Sequence, residues 1–534
     1  MPLATASHAL TLAALGNLEK TVVNISVPSA AWTTFGLILS FYIVSQIKIQ
    51  FYGPKVPLVG VRSILEPRYL ANWRFFRNAA SILNEGYTKF PTSAWRFVRA
   101  DTDMLILPSK YIPELQVLHP QVASPTVAHA FNLSGQWTNM NIILKNNLHF
   151  RTLQEKLTPN LTHLTAHMQD ELNYAIDKDL PQCDDEWVPI KPYHVILRLV
   201  SRISARIFVG LPLCRNERWL EISTEFTENV FISLVILRLF PRFMHGVLSY
   251  FLPSTWIGCN YIRRAKKLLV PEIKQRQEAM ATGKLTSKDD MNLLTWMLEI
   301  ANGADSKPSD LAHLEVVMSL ASIHTSQMNA VHVLYDLAAH PQYIEELREE
   351  IKKILAEDGK WTSWKKPSFY KLKKLDSFMR ESQRMNPPTL LSYHRVMLHD
   401  HMLQDGTLLP KGSHIAMAVN EIQNDNNVTP SPEQFDPMRY YRLRQREGHT
   451  HLHQFATTET NVLNFGHGKY ACPGRFFAAL EIKNILVRLI MDYDWKLPES
   501  QGRPDNLHAH EFIFPNQEGL LYMKARPVDE RLAI

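Results

Sequence analysis

A single cysteine near the C-terminus has the surroundings of a functional residue. Cys472 lies in the run Phe465-Gly-His-Gly-Lys-Tyr-Ala-Cys-Pro-Gly474, between a glycine-bearing loop and a long apolar stretch. Backbone N–H groups and the positive end of a following helix would favour its thiolate over its thiol. A thiolate held in this way is a metal ligand or a nucleophile. The ordinary alternative is a buried cysteine beside a turn.

The residues around this cysteine suit a loop that passes close to a flat group. Gly466 and Gly468 are open to backbone angles that other residues avoid, and Phe465 offers an aromatic face beside the sulfur. From Arg475 to Ile490 apolar residues recur at mostly helical spacing. This spacing predicts a helix that is buried in a large core and that positions the loop.

The full spacing, Phe-x-x-Gly-x-x-x-Cys-x-Gly, resembles the haem-thiolate loop of the cytochrome P-450 superfamily. In that family the cysteine thiolate is the proximal ligand of haem iron. The resemblance implies that Cys472 ligates the iron of a haem b, with Phe465, Gly468 and Gly474 against the cofactor. Tyr470 departs from the pattern, because the family usually has an Arg or His there that contacts a haem propionate. Tyrosine brings no charge to that contact.

A long helix that is apolar nearly all round is predicted from Ser309, as its capping residue, to about His340. Its run Ala321-Ser-Ile-His-Thr-Ser326 resembles the family's Ala-Gly-x-Asp/Glu-Thr-Thr. The resemblance implies that Thr325 assists proton delivery on the oxygen side of the haem. His324 stands where the family has an acid, and histidine can also relay protons near neutral pH. A threonine that bonds back to its own helix is the ordinary alternative.

A charged triad is predicted upstream of the cysteine loop. Glu381 and Arg384 lie three residues apart, so they share a helix face and can pair. The segment Pro432-Glu-Gln-Phe-Asp-Pro-Met-Arg-Tyr440 resembles the family's Pro-x-x-Phe-x-Pro-x-Arg, which adds Arg439. In the family these three residues form a buried structural triad, and guanidinium forks suit a shared carboxylate. Alone, Glu-x-x-Arg is equally compatible with a solvated surface pair.

The resemblance also assigns residues to the haem carboxylates and to the substrate. Arg395 occupies the position at which the family has an arginine that reaches a haem propionate, and it would partly offset the charge missing at Tyr470. The sequence around Arg395 is equally compatible with an apolar strand that has a polar end. Arg151 is a second candidate for a propionate contact. The expected lining of the substrate pocket is Ala321, Leu390, Leu391 and Phe514.

The length of 534 residues alone would suggest about three or four domains. The motifs occur in the family's order, however, and the resemblance covers roughly residues 61–534. It implies one large, mostly helical domain with small β-sheets. The polar connector Gln275–Ser309 is predicted to form surface loops around a short helix near Met291–Ala301.

Composition narrows the choice of partners. The formal charge of +6 is too mild to argue for nucleic acid. The basic residues that flank the cysteine loop are Lys469, Arg475, Lys483 and Arg488. Some of them could form a docking face for an acidic flavoprotein reductase, and a solvated charge distribution is equally compatible.

The chain has four cysteines. They show no metal-site spacing and are too few for a disulfide scaffold. They are Cys183, Cys214, Cys259 and Cys472.

An uncharged apolar stretch near the N-terminus has about the length that spans a bilayer. We therefore predict a transmembrane anchor at residues 29–47, after a short lumenal segment 1–28. A proline-rich hinge, 48–60, would precede the haem-thiolate catalytic domain, 61–534. Basic residues follow the stretch, so the catalytic domain should face the cytosol, with the single-pass anchor in the endoplasmic reticulum membrane. Asn24, in a lumenal Asn-x-Ser sequence, would be open to glycosylation.

The sequence thus predicts a membrane-anchored haem-thiolate monooxygenase. It would use O2 and electrons from NADPH, delivered by a reductase or a cytochrome b-type donor, to oxidise a bulky apolar small molecule. Its motifs look most like those of fungal members akin to ent-kaurene oxidase, which act on terpenoids and other secondary metabolites. One alternative is a reductase-independent haem-thiolate isomerase or dehydratase, against which Thr325 counts. The other is a non-catalytic haem-binding protein, which His324 and Tyr470 leave open.

Overall fold

The computed structural model describes residues 31–37, 39–40, 42–44, 54–63, 65–286 and 290–532. The predicted lumenal segment 1–28, with Asn24, lies outside these residues, as do parts of the predicted anchor and hinge. The described residues of the anchor are helical. In the described part of the chain, no helix is both long enough and apolar enough to cross a bilayer.

Helices make up most of the described chain. The longer ones are α1 (Arg68–Lys89), α2 (Pro125–Asn132), α3 (Thr158–Asp179), α4 (Pro192–Phe208), α5 (Glu217–Leu237), α6 (Pro253–Ala281), α7 (Leu293–Ile300), α8 (Pro308–Ala339), α9 (Ile344–Asp358), α10 (Lys373–Met385) and α11 (Arg475–Asp492). Short helices occur at Ile112–Leu115, Gly135–Thr138, Leu148–Thr152, His245–Phe251, Lys366–Lys371, Val419–Gln423 and Arg439–Arg444.

The strands are short and form small sheets. They are β1 (Leu58–Val59), β2 (Trp95–Val98), β3 (Asp103–Ile106), β4 (Ala123–Ser124), β5 (Val188–Ile190), β6 (Leu391–Met397), β7 (His401–Met402), β8 (Leu408–Leu409), β9 (His414–Ala418), β10 (Tyr493–Lys496), β11 (Leu507–Ala509), β12 (Phe512–Phe514) and β13 (Leu521–Ala525). Within the described residues, the largest sheet has the order β1-β2-β3-β9-β6-β4, and the others are β10-β13-β5, β11-β12 and β7-β8. The predicted mostly helical fold with small sheets is confirmed.

Helix α8 is the centre of the molecule and contacts α4, α5, α6, α10 and α11. It begins at Pro308, where the missing N–H of proline costs no intrahelical hydrogen bond. No side chain caps this end, so the predicted capping role of Ser309 is wrong. One continuous apolar core joins α3 through α11, and smaller clusters lie against the six-stranded sheet. The oxygen-side motif is therefore held on a rigid, fully packed helix.

The polar connector differs in part from the prediction. Its first residues belong to the end of α6, which continues to Ala281, while the predicted short helix is confirmed as α7. The buried side chain of Arg276 explains the difference. It donates to the side chains of Asn292 and Thr295 and to the carbonyl of Val209. These bonds tie the end of α6 to the core despite its polar composition.

Candidate active site

The cysteine loop is closed by its own backbone. Gly466 and Gly468 have φ values of 68° and 71°, in the left-handed region that favours glycine. The N–H of Cys472 donates to the carbonyl of Phe465 at 2.8 Å. Helix α11 then begins at Arg475. The sulfur is thus held rigidly just before the N-terminus of a buried helix.

The Cys472 side chain is accessible, yet burial among surrounding protein atoms raises the pKa of its thiol. The backbone N–H groups of Gly474 and Arg475 and the Arg475 charge oppose that rise. A sulfur that is both accessible and surrounded opens into an internal space. An activated nucleophile needs a lowered thiol pKa, whereas a metal ion deprotonates its own ligand. These surroundings therefore fit a metal ligand better than a nucleophile.

Two other residues predicted to contact the cofactor lie beside this sulfur. Phe465 packs edge-to-face on Phe455, with ring centroids 5.4 Å apart. A Cβ at Gly474 would lie 4.0 Å from the Cys472 sulfur, which is an ordinary contact. The protein atoms alone therefore do not require glycine at position 474.

Helix α8 has one opening in its otherwise buried surface. From Leu311 to Ala338 every residue is buried except Ala321, Ser322 and Thr325. Ala321 and Thr325 are four residues apart, so they lie on one face of the helix. The Thr325 hydroxyl donates to the carbonyl of Ala321 at 2.9 Å. This face of α8 is therefore accessible in the middle of an otherwise buried helix, as Cys472 is accessible at the start of α11.

His324 lies on a different side of α8. Its side chain is buried, and Nε2 lies 3.2 Å from the carbonyl oxygen of Thr224 on α5. Burial lowers the pKa of His324 to about 4, so the ring is neutral near pH 7. Its predicted role in proton delivery stays a prediction, and the structure does not place it on the Ala321 and Thr325 face.

Sequence reasoning missed a buried carboxyl between α8 and α11. Glu481 of α11 accepts a hydrogen bond of 2.7 Å from Ser204 of α4, whose hydroxyl is 3.3 Å from that of Ser322. Burial raises the pKa of Glu481 to about 8. Through Ser204, this cluster links α11, the helix that follows Cys472, to the accessible segment of α8. Only the packing of three distant helices forms it, so no local pattern identifies it.

The charged triad is assembled as the resemblance implied. Arg384 donates to both oxygens of Glu381, at 2.9 and 2.7 Å. Arg439 reaches the same carboxylate at 3.4 Å, and the N–H of Asp436 donates to it at 3.0 Å. Glu381 and Arg384 are almost completely buried. The triad therefore fixes the segment before the cysteine loop onto α10.

Arg395 is placed by an irregularity in β6. The register between β6 and β9 shifts between Ser392 and Arg395, and Tyr393 has a φ of 57°. Such bulges redirect side chains. Here the guanidinium lies 4.3 Å from the Tyr393 ring centre and 5.6 Å from that of Tyr470. The structure thus brings together Arg395 and Tyr470, which are 75 positions apart in the sequence.

Arg151 is placed differently. It forms a partly exposed ion pair with Glu155, one turn along its helix, at 3.2 Å. Its neighbour Phe150 faces Tyr470 instead, with ring centroids 6.3 Å apart. The predicted propionate contact of Arg151 stays a prediction with no geometric support.

Two histidines that sequence reasoning missed also lie here. His129 of α2 is accessible, although burial and the charge of Arg395 lower its pKa to about 4. Burial and the nearby His129 lower the pKa of His149 to about 4. Because packing of α2 on β6 brings His129 to Arg395, no local motif marks it.

The predicted substrate-lining residues divide into two groups. Ala321 lies at the accessible face of α8, and Phe514 is half-buried beside Phe231, with ring centroids 6.1 Å apart. Leu390 and Leu391 are instead fully buried in the apolar cluster under the six-stranded sheet. In this structure the two leucines support the sheet and present no surface to a substrate.

The predicted basic docking face is reduced by the structure. Lys483 is buried and pairs with Asp376 at 2.6 Å, while Arg488 is buried and pairs with Asp492 at 2.6 Å. Their role in a docking surface is therefore wrong, because α11 is a core helix on all sides at these positions. Lys469 stays exposed beside the cysteine loop.

Comparison with known proteins identifies the class to which this fold and site belong. The sequence model of the cytochrome P450 family matches residues 80–523. The chain therefore belongs to the cytochrome P450 family, which is a haem-thiolate family, and it is a monooxygenase homologue.

Among its relatives is "Cytochrome P450 monooxygenase AN1598" of Emericella nidulans, 45% identical over 89% of this chain and 88% of the relative. "Cytochrome P450 monooxygenase paxP" of Penicillium paxilli is 39% identical over 88% of this chain and 90% of that protein. "Ent-kaurene oxidase P450-4" of Gibberella fujikuroi is 35% identical, with 88% and 93% covered. Among solved structures, "Retinoic acid bound cyanobacterial CYP120A1" matches 89% of this chain and 100% of its own, with a TM-score of 0.61 and 18% identity, which shows the shared fold.

The residues present fit the haem that the family implies. The sulfur of Cys472 and the Ala321 and Thr325 face of α8 are accessible, although protein surrounds the cysteine and the rest of this helix is buried. Arg395 is 6% exposed, and in the described chain no carboxylate pairs with it. A buried cation without a counter-charge is costly, so this place suits an anionic group such as a haem carboxylate.

Proposed function

We propose that this protein is a haem-thiolate monooxygenase of fungal secondary metabolism that oxidises a bulky apolar terpenoid or meroterpenoid. The electrons come from NADPH through a reductase, or from a cytochrome b-type donor. The names of the relatives support this proposal, since they include monooxygenases and ent-kaurene oxidases of fungi. The enzyme class follows from the family. What we propose is the substrate class, the electron source and the pathway.

The observation that carries the proposal is the interruption of burial in α8. A helix that is apolar on all sides is normally buried along its whole length. This one leaves Ala321, Ser322 and Thr325 accessible in its middle. The accessible surface carries a small side chain and two hydroxyls. It therefore leaves room for an apolar molecule beside a group that can donate a proton.

The side chains have separate tasks in this proposal. Bound haem would supply the activation of O2. Cys472 would ligate its iron, and Arg395 would pair with one of its carboxylates. Thr325 would hold a proton at its hydroxyl on the oxygen side. Phe514 and Ala321 would contact the apolar substrate and exclude water from it.

We further propose that the protein is a single-pass protein of the endoplasmic reticulum membrane, with residues 29–47 as its anchor and the catalytic domain in the cytosol. The uncharged stretch in this range and the basic residues after it support this. Membrane fractionation of the full chain and of a chain that starts at residue 54 tests it. Recovery of both forms in the soluble fraction would contradict the proposal.

The catalytic proposal is tested by reconstituting the purified protein with an NADPH-dependent reductase and a panel of terpenoids and meroterpenoids. We expect substrate-dependent consumption of NADPH and O2, with a product heavier by one oxygen atom. Metabolite profiling of a host with and without the gene identifies the natural precursor. Product formation without NADPH would favour the isomerase or dehydratase class. Haem binding without turnover across the panel would favour a non-catalytic protein.

A further inference from the structure

The replacement of a cation by Tyr470 raises the question of what binds the haem carboxylates in this chain. A haem carries two of them, and burying a carboxylate without a partner costs several kcal/mol. The centre of the Tyr470 ring lies 5.6 Å from the Arg395 guanidinium and 6.3 Å from the centre of the Phe150 ring. Neither aromatic ring supplies a charge. Arg395 alone therefore has to compensate two carboxylates, unless other cationic groups reach them.

His129 is placed to be such a group. It is accessible although protein surrounds it, and the positive charge of Arg395 is near enough to affect its titration. Its ring forms no hydrogen bond to any residue that the structure describes. Without an anion nearby, burial and the Arg395 charge lower the pKa of His129 to about 4, so its ring is neutral near pH 7. A carboxylate bound beside Arg395 would favour the protonated ring and accept a hydrogen bond from it.

His149 adds a second observation at the same place. Its Nδ1 is buried and has no hydrogen-bond partner in the described structure. Burial of a polar atom without a partner costs about 1–3 kcal/mol. His149 lies near His129 and next in sequence to Phe150, which faces Tyr470. His149 thus lacks a hydrogen-bond partner beside an accessible histidine, and a ligand oxygen that reached Nδ1 would supply one.

The other buried histidines of this region already face charge. His394 lies near Glu511, Arg99 and Arg238, and His414 lies near the same two arginines. Glu511 pairs with Arg99 at 3.2 Å and Arg238 at 2.7 Å. Glu511, together with Asp101, which pairs with Arg99 at 2.6 Å, compensates the two arginines. This cluster therefore needs no further anion, although His129 lies near both of its histidines.

We propose that His129 and His149 complete, with Arg395, a cationic pocket that binds the two carboxylates of the haem and replaces the cation missing at Tyr470. The proposal rests on haem binding at Cys472 and not on the identity of the substrate. It predicts that haem retention depends on histidines of α2 and of the Leu148–Thr152 helix.

The test uses the ferric holoenzyme and its His129→Gln and His149→Gln variants. Haem transfer to excess apomyoglobin gives the rate of haem loss, and resonance Raman spectra report the propionate-bending bands. We expect each variant to lose haem roughly ten- to a hundredfold faster, as for loss of a hydrogen bond to a charged group, and the bending bands to shift. His129→Arg should restore retention. His414→Gln, a buried neighbour, should change neither quantity.

Repeating the His129→Gln measurement in a Tyr470→Arg variant separates a role in binding haem from a purely structural effect. Tyr470→Arg restores the cation that the family usually has, so His129→Gln should then accelerate haem loss by less than about threefold. An equal effect in both backgrounds, or unshifted bending bands in both glutamine variants, would overturn the proposal while leaving the monooxygenase function intact. If the wild-type protein held no haem, this inference and the proposed function would fail together.

Discussion

Replacement of Arg384 is the sharpest test of how the cysteine loop is supported. Arg384 makes two bonds to the Glu381 carboxylate and donates to the carbonyls of Pro432 and Gln434, at 2.7 and 3.2 Å. Lysine keeps the charge but cannot span these acceptors, because its ammonium is one compact centre. Loss of one charge-assisted bond predicts a cost of about 1.5–3 kcal/mol for Arg384→Lys.

Arg384→Met should lower the free energy of unfolding by more than Arg384→Lys does. It leaves the fully buried Glu381 with Arg439 as its remaining cation, at 3.4 Å. Removal of one partner from a buried pair typically costs about 3–5 kcal/mol. The matched control is Arg442→Met, because Arg442 forms an exposed pair with Asp436 on the same segment. An exposed pair is worth about 0–1 kcal/mol.

Urea titrations followed by far-UV circular dichroism and by haem absorbance measure these differences. We expect the order Arg384→Met, Arg384→Lys, Arg442→Met, from least to most stable, with haem absorbance lost no later than helicity. An Arg384→Lys variant as stable as the wild type would refute the reasoning that a bidentate fork is required.

Three further predictions concern the interior. Thr325→Ala should keep NADPH consumption but lower product formed per NADPH at least tenfold, as loss of a proton donor predicts, and Thr325→Ser should retain coupling. Leu390→Ala should lower the free energy of unfolding by about 2–5 kcal/mol because Leu390 is a core residue, whereas Phe514→Ala should mainly raise the substrate KM. The raised pKa of Glu481, about 8 against 4.5, means that the native state binds the proton more tightly than the unfolded state. As the pH rises from 4.5 to 8, the free energy of unfolding of the wild type should therefore fall relative to that of Glu481→Gln, by at most about 1.4 kcal/mol per pH unit. Denaturation experiments that gave both proteins the same pH dependence of stability would contradict this.

Local patterns were sufficient where one element carries the whole signal. Apolar spacing and a proline boundary predicted α8 to within a residue, and the predicted helix 475–490 is observed as Arg475–Asp492. Glu381 and Arg384 could be paired from their spacing alone because both lie on α10.

The rest of the site depends on contacts between distant segments. The bulge that directs Arg395 requires a left-handed tyrosine, a conformation that no local pattern announces. His129, Glu481 and the Arg99–Glu511 pair acquire their surroundings only when separate elements pack together. Burial of Lys483 and Arg488 was missed for the same reason, since a basic helix face looks solvated until its buried carboxylate partners are known.

The most direct test of the central claim, that Cys472 ligates haem iron, is the absorbance spectrum of the reduced protein with carbon monoxide. We expect the wild type and the control Cys259→Ala to show the red-shifted Soret band of a thiolate-ligated haem. Cys472→Ala should lose that band. A red-shifted band that survived in Cys472→Ala would contradict the assignment.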